Sequence, residues 1–527
     1  MQKYRVYIPT AGQGSRLGQI TNYFNKALIK VGNKAVISHI IEQFPIDVEF
    51  VISLGYKKDN VKQYLEIAHP NNKFIFIDVE NYGKGYGPGH ALKKCKHELQ
   101  CPFLYWSCDS LVEADFDEYC NLGFNWVGYD EIDIKKSNEF CTMELDEDEL
   151  EVKKIFDKQQ GTNKAYIGIS FVRDYEEFWN HMDDNNKLIN DEIQLSPALF
   201  KMKNLAPLKF SWFDTGNLEG LEKARKFYKG IEILQKLDEE IYVINNNVIK
   251  FFHNTSMITG RIERAKKLKG LVPDIISYSK NFYKYKFQEG NDLFRVNRVD
   301  EEFPRLLEYS KEKLWQDIEL IKQDKLIFKD CCRRFYKDKT IARMEKLFND
   351  KNFKDESIFI NGLKVPNIKE VLNLINWDYI CEGLPCLGHG DFVLPNVLLT
   401  EDNEFIFIDF RQEFGGLIDY FDKYYDFAKM MACLHFPLKS IREKKFYAET
   451  YKIKKIKTFI EIPMEIEKCK DYFEEWLDNE HYDIDKVKIL TGLVLLNMSP
   501  LHPYPLDEWL YYYGKWYLYK SLREKYI

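Results

Sequence analysis

The chain has 527 residues, 45% hydrophobic and 30% charged, which exceeds one ordinary core and sets an expectation of roughly two to four domains. Its 76 basic and 83 acidic side chains give a formal net charge of -7, which argues against a bulk polycationic surface for nucleic acid. Aromatic residues at 15% exclude a largely disordered chain.

From residue 1 to about 225, strand-like runs at 5–8, 49–54, 73–79 and 102–107 alternate with helical patterns at 35–42, 59–68 and 89–99. That alternation predicts an α/β domain with a mostly parallel sheet. The acidic stretch 130–154 reads as an irregular excursion. A helical pattern over 220–237 reads as a connector, and 240–244 and 248–252 flank the turn-rich Asn245, Asn246 and Asn247 as a hairpin. A domain boundary is expected at 235/236, dividing 1–235 from 236–527. Beyond it the pattern is mostly helical, interrupted by a strand-loop-strand region around 385–410. The Lys/Glu-rich stretch 439–457 reads as a solvated helix face.

Eleven cysteines without a C-x-x-C pair fit reduced thiols better than a disulfide framework or structural zinc. The N-terminus lacks the apolar core of a signal peptide. The most apolar late stretch, 489–498, is about half the length of a membrane span. A cytoplasmic protein with no membrane span and small-molecule partners is therefore expected, with homo-oligomerisation left open.

The first strand leads into Gly-x-Gly-x-Arg-Leu, made by Gly12, Gly14, Arg16 and Leu17, with Lys26 ahead of a second apolar run. Glycines let backbone N–H groups approach phosphate oxygens, and Arg16 and Lys26 can neutralise their charge. A dinucleotide fingerprint would need Gly at Leu17, and a P-loop would need Gly-Lys-Ser/Thr. The string resembles that of the sugar-1-phosphate nucleotidyltransferases, relatives of the phosphocholine cytidylyltransferases. The resemblance runs on through a glycine turn containing Gly85, Gly87 and Gly89, a strand ending at Asp109, the pair Asp157-Lys158, the strand 165–169, and Trp212-Phe213-Asp214-Thr215-Gly216.

It implies a Rossmann-like, GT-A-like fold, with Gly12, Gly14 and Gly87 binding nucleotide. Arg16 and Lys26 would be catalytic, Asp109 and Asp214 would hold Mg²⁺, and Lys158 would bind the acceptor phosphate. Departures from the family pattern are Thr10 for a usual Ala, no Pro after Lys26-Ala27-Leu28, and Gln159 after Lys158.

A second motif reads His389-Gly390-Asp391, then Asn396, then Asp409 after an apolar run. It resembles the aminoglycoside/choline phosphotransferases, which implies a bilobal, protein-kinase-like fold. Asp391 would take the proton of an acceptor hydroxyl, and Asn396 and Asp409 would hold Mg²⁺ against ATP. Lys250 and Glu263 would be the ATP-binding lysine and its ion-pair partner, and 285–290 the hinge between lobes, although no glycine-rich loop precedes Lys250. His389 is expected to orient its loop, and Asp426 to be a structural partner. The aromatic cluster 509–517 reads first as helix packing and second as a box for a quaternary ammonium.

Together the motifs point to a bifunctional enzyme. ATP phosphorylates a small hydroxyl compound, favoured as a sugar at C1, and a second triphosphate, CTP or UTP, converts the product to a nucleotide conjugate for a surface glycan such as capsule or lipopolysaccharide. The alternatives are a choline or amino-alcohol kinase joined to a cytidylyltransferase and, ranked lower, a non-catalytic sensor or scaffold.

Overall fold

The computed structural model describes residues 4–526 apart from 84, 185–187, 190, 231–237, 297, 352 and 453. The early apolar runs form β1 (Arg5–Pro9), β2 (Glu49–Leu54), β3 (Lys73–Asp78) and β4 (Phe103–Trp106), parallel and in the order β3-β2-β1-β4. The crossovers contain α1 (Val36–Ile41), α2 (Lys58–Ala68) and α3 (Gly87–Lys94), as parallel pairing requires. Alternate side chains serve opposite faces of this sheet. Val6, Ile8, Phe50, Ile52, Leu104 and Trp106 join one apolar cluster, and Tyr7, Val51, Phe103 and Tyr105 join another. Coverage on both faces explains why these strands are apolar without a polar alternate.

The sheet continues antiparallel. It adds β5 (Asn125–Glu131), β6 (Cys141–Leu145), β7 (Val152–Asp157), β8 (Lys164–Val172) and β9 (Leu205–Lys209). β8 pairs with β4, β5 and β6, and β9 lies parallel to β5. The expectation of an irregular excursion over 130–154 is thus corrected in part: 130–131, 141–145 and 152–154 are strand residues of the main sheet. Its acidic residues gather in the 146–151 turn, where Asp146 Oδ1 accepts from the N–H of Leu150 and Glu151, while Thr142 and Met143 are buried.

The chain forms two compact units. The first comprises residues 1–255 with 276–287, the second 256–275 with 288–527, so the chain crosses between them three times. The expected 235/236 boundary falls in 231–237, outside the described residues, as does the end of the expected helix 220–237; its described part is a helix at Leu218–Phe227. The hairpin forms as β10 (Glu239–Ile244) and β11 (Asn247–Phe252). Its two turn residues, Asn245 and Asn246, both adopt positive φ (47° and 57°), the geometry a two-residue hairpin needs. With β12 (Ile275–Tyr278) and β13 (Phe282–Lys286) it makes a four-stranded sheet in the order β10-β11-β13-β12.

This small sheet shares the first unit's core. Tyr242, Ile244, Ile249, Phe251 and Phe282 are buried in the same cluster as Val6 and Phe50. Tyr242 Oη donates to the Leu28 carbonyl (2.7 Å), and Lys284 Nζ to the Ile67 carbonyl (2.9 Å).

The second unit is mainly helical, and its helices include α4 (Ser256–Lys267), α5 (Lys322–Arg333), α6 (Lys339–Lys351), α7 (Lys423–His435), α8 (Ile484–Met498) and α9 (Leu506–Tyr526). Residues Arg334–Asp338 form a π-helical turn joining α5 to α6. The reading of 439–457 as a solvated helix face is corrected. Beyond a short helix, Leu438–Arg442, lie two paired strands, Phe446–Lys452 and Lys455–Ile460. Ile456 and Thr458 are buried while Lys457 and Phe459 face outward, a strand alternation carried by lysines and so easily taken for a charged helix. Trp509 and Tyr511 lie fully buried within the apolar cluster of this unit, so they serve packing, not an open cation box. Among the described residues no helix is long and apolar enough to cross a membrane.

Candidate active sites

The first site lies at the carboxyl ends of β1 and β4, where an open parallel sheet places its ligands. After β1 the chain turns through Gly14, whose φ of 67° and close approach to Lys26 Cβ (3.1 Å from an added Cβ) leave no room for a side chain. Gly12 is less constrained: an added Cβ would stand 3.9 Å from Lys26 Cε. Lys26 Nζ pairs with Asp109 Oδ2 at 2.7 Å, and Arg16, 61% exposed at its side chain, lies 3.9 Å from the same oxygen.

A two-strand ladder sets Asp214 opposite Ser110, the residue after Asp109. Thr215 tightens this join by donating its N–H and its hydroxyl to the Asp109 carbonyl, both at 2.8 Å. Gly216 then sits between the carboxylates. A Cβ there would stand 2.7 Å from Asp109 Oδ2, 3.0 Å from Asp214 Oδ1 and 3.0 Å from an Arg16 terminal nitrogen. The two oxygens are therefore less than 6 Å apart across a space that only a glycine keeps open.

Electrostatics divide the two acids. Burial pushes both carboxyls up, but the Lys26 ammonium and the Ser107 hydroxyl (2.5 Å) hold Asp109 far below the ordinary range. Asp214 is raised, by burial and then by the negative charge of Asp109. Its oxygens accept from the Gly216 N–H (2.9 Å) and Asn217 Nδ2 (2.6 Å). Two converging carboxylates with open space between them fit Mg²⁺, which takes one or two protein carboxylates and completes its shell with water and substrate phosphate.

Gly87 (φ 71°) opens α3, and its missing side chain admits Glu192 and the Ile193 carbonyl. Lys158 stands apart from the acids in its contacts: it is exposed and donates to the Glu139 carbonyl (2.5 Å). Sequence reasoning quoted Ser107 and Gly216 within motifs but gave them no role, and it did not single out Asn217. Asn217 caps the helix Leu218–Phe227, so the Asp-x-x-Asn spacing was the available signal, and it shows that Asp214 itself is not the cap.

The second site is built on the loop before and after Asp391. The Asp426 carboxylate, buried on α7, accepts from the N–H of His389 (2.7 Å), the N–H of Gly390 (2.7 Å) and Trp315 Nε1 (3.0 Å). His389 bridges onward, with Nε2 2.9 Å from the Ile408 carbonyl and Nδ1 accepting the Asp391 N–H at 3.1 Å. Burial pushes this imidazole down to about 4, so it is neutral and positions the loop without exchanging protons. Arg264, fully buried, donates to the carbonyls of Leu387, Gly388 and Ile418. No motif signalled this arginine.

Asp391 faces two sides. Oδ1 pairs with Lys429 Nζ at 2.7 Å, and Oδ2 lies 3.3 Å from Asn396 Nδ2. Burial raises this carboxyl, and Lys429 more than reverses it, bringing it down to about 2. With Nδ2 turned to Asp391, Asn396 keeps its amide oxygen for a cation. Asp409 has a φ of 60°, a left-handed conformation rare outside glycine and frequent at functional sites. The Asn396 and Asp409 oxygens are the donor types Mg²⁺ prefers. Lys250 lies buried on β11, 5.9 Å from the Tyr285 ring centroid. Glu263 is on α4, 45% exposed at its side chain and paired with Lys266 (2.7 Å).

Residues 8–230 match the family model described as nucleotidyl transferase. The bifunctional protein GlmU of Methanococcus vannielii is 32% identical over 271 residues, 50% of this chain and 58% of that protein. A UTP--glucose-1-phosphate uridylyltransferase of Staphylococcus epidermidis is 23% identical over 239 residues, 38% of this chain and 81% of that protein. Among solved structures, a UDP-glucose pyrophosphorylase complexed with UDP-glucose covers 43% of this chain and 98% of its own, at 19% identity and a TM-score of 0.38. The chain spans 58% of the length of the GlmU protein it matches. Residues 8–230 thus match the nucleotidyl transferase family, and the relatives over this part of the chain include a glucose-1-phosphate uridylyltransferase.

Proposed function

We propose that the first unit transfers a nucleotidyl group to a sugar 1-phosphate and that the second phosphorylates a hydroxyl compound with ATP. The observation that carries the first half is the convergence of Asp109, Asp214, Arg16 and Lys26 around Gly216. A phosphate oxygen of the sugar 1-phosphate forms a bond to the α-phosphorus of a nucleoside triphosphate, and the α–β bridging bond breaks to release pyrophosphate. The attacking oxygen is already anionic, so no general base is needed; the task is to hold two polyanions in line. Arg16 and Lys26 bind phosphate oxygens. Asp109 and Asp214 would hold Mg²⁺, which when bound offsets charge on the α-phosphate.

The second half is supported by the Asp391 loop, fixed from below by Asp426 and from the side by His389. Asp391, kept ionised by Lys429, accepts the proton of the acceptor hydroxyl. The hydroxyl oxygen then bonds to the γ-phosphorus, and ADP leaves. Asn396 and Asp409 would hold Mg²⁺ against the ATP phosphates. The favoured acceptor is a sugar phosphorylated at C1, because that product feeds the first reaction directly, with CTP or UTP as the second nucleotide. The route would serve assembly of a surface glycan.

Incubation of the full chain with ATP, each nucleoside triphosphate and a panel of sugars and amino alcohols, with products identified by mass, tests both halves. Asp109→Asn is expected to lose pyrophosphate release and keep ADP formation. Asp391→Asn is expected to do the reverse. Loss of both activities in either variant, or of neither, refutes the division of labour.

A further inference from the structure

Around Asp391 the second unit gathers more positive charge than its own carboxylates balance. Lys339 and Arg343 stand one turn apart on α6, Lys429 is on α7, and Arg411 follows Asp409 in the loop. One aromatic ring ties three of these elements together. Phe335, in the π-helical turn before α6, lies 3.3 Å from Lys339 Nζ and 4.9 Å from Arg411 Cζ, and packs at 4.8 Å on Tyr425, one turn before Lys429.

Lys429 has Asp391 as its partner, whereas Lys339, Arg343 and Arg411 form no ion pair among the described residues. Arg343 donates to the Asn497 carbonyl (2.8 Å) and Arg411 to the Glu413 carbonyl (3.1 Å). Burial, then the charges of Arg411, Arg343 and Lys429, push the Lys339 ammonium well below its ordinary value; Glu413 opposes them. Glu413 itself accepts the Gly416 N–H. Like charges drawn together on one ring repel, and a cation–π contact offsets that only in part. A bound anion would balance the cluster.

The side on which the cluster lies indicates which substrate it serves. Asp391 turns Oδ2 toward Asn396, the metal side, and Oδ1 toward Lys429, the cation side. The cations therefore border the Oδ1 side of Asp391, away from the Asn396 side assigned to the metal and ATP, which leaves the cation side for an acceptor hydroxyl under the phosphotransferase reading.

Resting on the phosphotransferase reading above, we propose that the acceptor is an anionic hydroxyl compound. It carries a phosphate or carboxylate besides the hydroxyl that is phosphorylated, and Lys339, Arg343 and Arg411 hold that anion. A cationic acceptor such as choline is disfavoured by the same charges. The π-helical turn then has a function, since π-bulges recur at functional sites and this one carries Phe335.

The test measures ADP formation by the full chain with matched acceptors: glucose and glucose 6-phosphate, glycerol and glycerol 3-phosphate, with gluconate and choline. The anionic member of a pair is expected to exceed its neutral partner in kcat/KM by about 10–100-fold. Lys339→Gln and Arg343→Gln should each erase about tenfold of that preference, mainly through KM, and Lys339→Arg should restore it. Thermal melting of each variant controls for folding. Equal or better use of neutral acceptors or choline, abolished by Asp391→Asn, would overturn the anion proposal and leave the phosphotransferase reading standing.

If no acceptor turns over, inorganic phosphate is titrated calorimetrically in a Lys26→Gln background that weakens the first site. Binding that weakens about tenfold on adding Lys339→Gln supports the proposal, and equal binding refutes it. Absence of any Mg·ATP binding in that background withdraws the phosphotransferase reading itself.

Discussion

Gly216→Ala is a sharp probe of the first site because it adds no polar group, keeps the N–H that Asp214 accepts and changes only the space between the carboxylates. The added methyl would stand 2.7 Å from Asp109 Oδ2 and 3.0 Å from both Asp214 Oδ1 and an Arg16 nitrogen. Arg16 is exposed and moves aside easily. Asp109 does not, being held by Lys26 at 2.7 Å and Ser107 at 2.5 Å. Asp214 is fixed partly by the Gly216 N–H itself. The strain therefore falls on the two carboxylates, and it fills the gap in which a cation would sit between them. Overpacking of this kind costs about 1–3 kcal/mol, which lowers Tm by only a few degrees in a chain of this size. Loss of one preorganised electrostatic group costs about 10²–10³-fold in kcat. Pyrophosphate release at saturating nucleotide, with a Mg²⁺ titration, reads the effect, and ADP formation by the same protein serves as the internal control. Release within about threefold of wild type, at unchanged Mg²⁺ dependence, would show that Asp109 and Asp214 do not act together across this gap.

Three further outcomes are expected. Asp391→Asn should bind Mg·ATP in calorimetry while ADP formation falls by about 10²-fold or more, because the proton acceptor is lost and the nucleotide contacts remain. Asp426→Asn turns one acceptor oxygen into a donor facing the backbone N–H of His389 or Gly390, so a loss of about 1–3 kcal/mol is expected in chemical denaturation of the second unit. His435, buried beside Tyr513, is pushed down by burial to about 3. It stays neutral in the fold but protonates near 6.5 when unfolded, so stability is lost as pH falls below about 6.5, by up to about 1.4 kcal/mol per pH unit. His435→Gln should make that slope shallower by about one proton, and an unchanged slope would refute the assignment.

What the sequence reveals depends on whether neighbours in the chain are neighbours in space. β1 and its glycine loop, the hairpin turn at Asn245 and Asn246, and the His389–Asp391 loop are local, so their residues announce them. The 141–157 strands were hidden because acidic turn residues dominate the composition while burial of Thr142 and Met143 depends on partners elsewhere in the sheet. The strands at 446–460 were hidden by lysines on their outer face. Glu263 was read from its place in the helical run 261–271, and its side chain pairs with Lys266 on α4. Gly216 acquires its role only beside Asp109 from another strand, and the cations of α6, α7 and the Arg411 loop come from three elements that no spacing rule joins. Their meaning exists only once helices and loops have packed.

The sheet of β10, β11 and β13 also separates the order of the gene from the order of assembly. Read along the chain, residues 238–255 and 276–287 open the second half; to the hydrophobic effect they finish the first. Cut at 236, the distal piece would carry Tyr242, Ile244, Phe251 and Phe282 into water, and the proximal piece would bare Tyr64, which packs on Tyr242 at 4.9 Å and on Phe282 at 5.9 Å. At about 1.5–3 kcal/mol for each large apolar side chain, that exposure rivals the whole stability of a typical domain. Residue 236 is then no place to divide the chain. A cut at 236 that spares every residue proposed for one reaction would still strip apolar surface from the body that carries the first site.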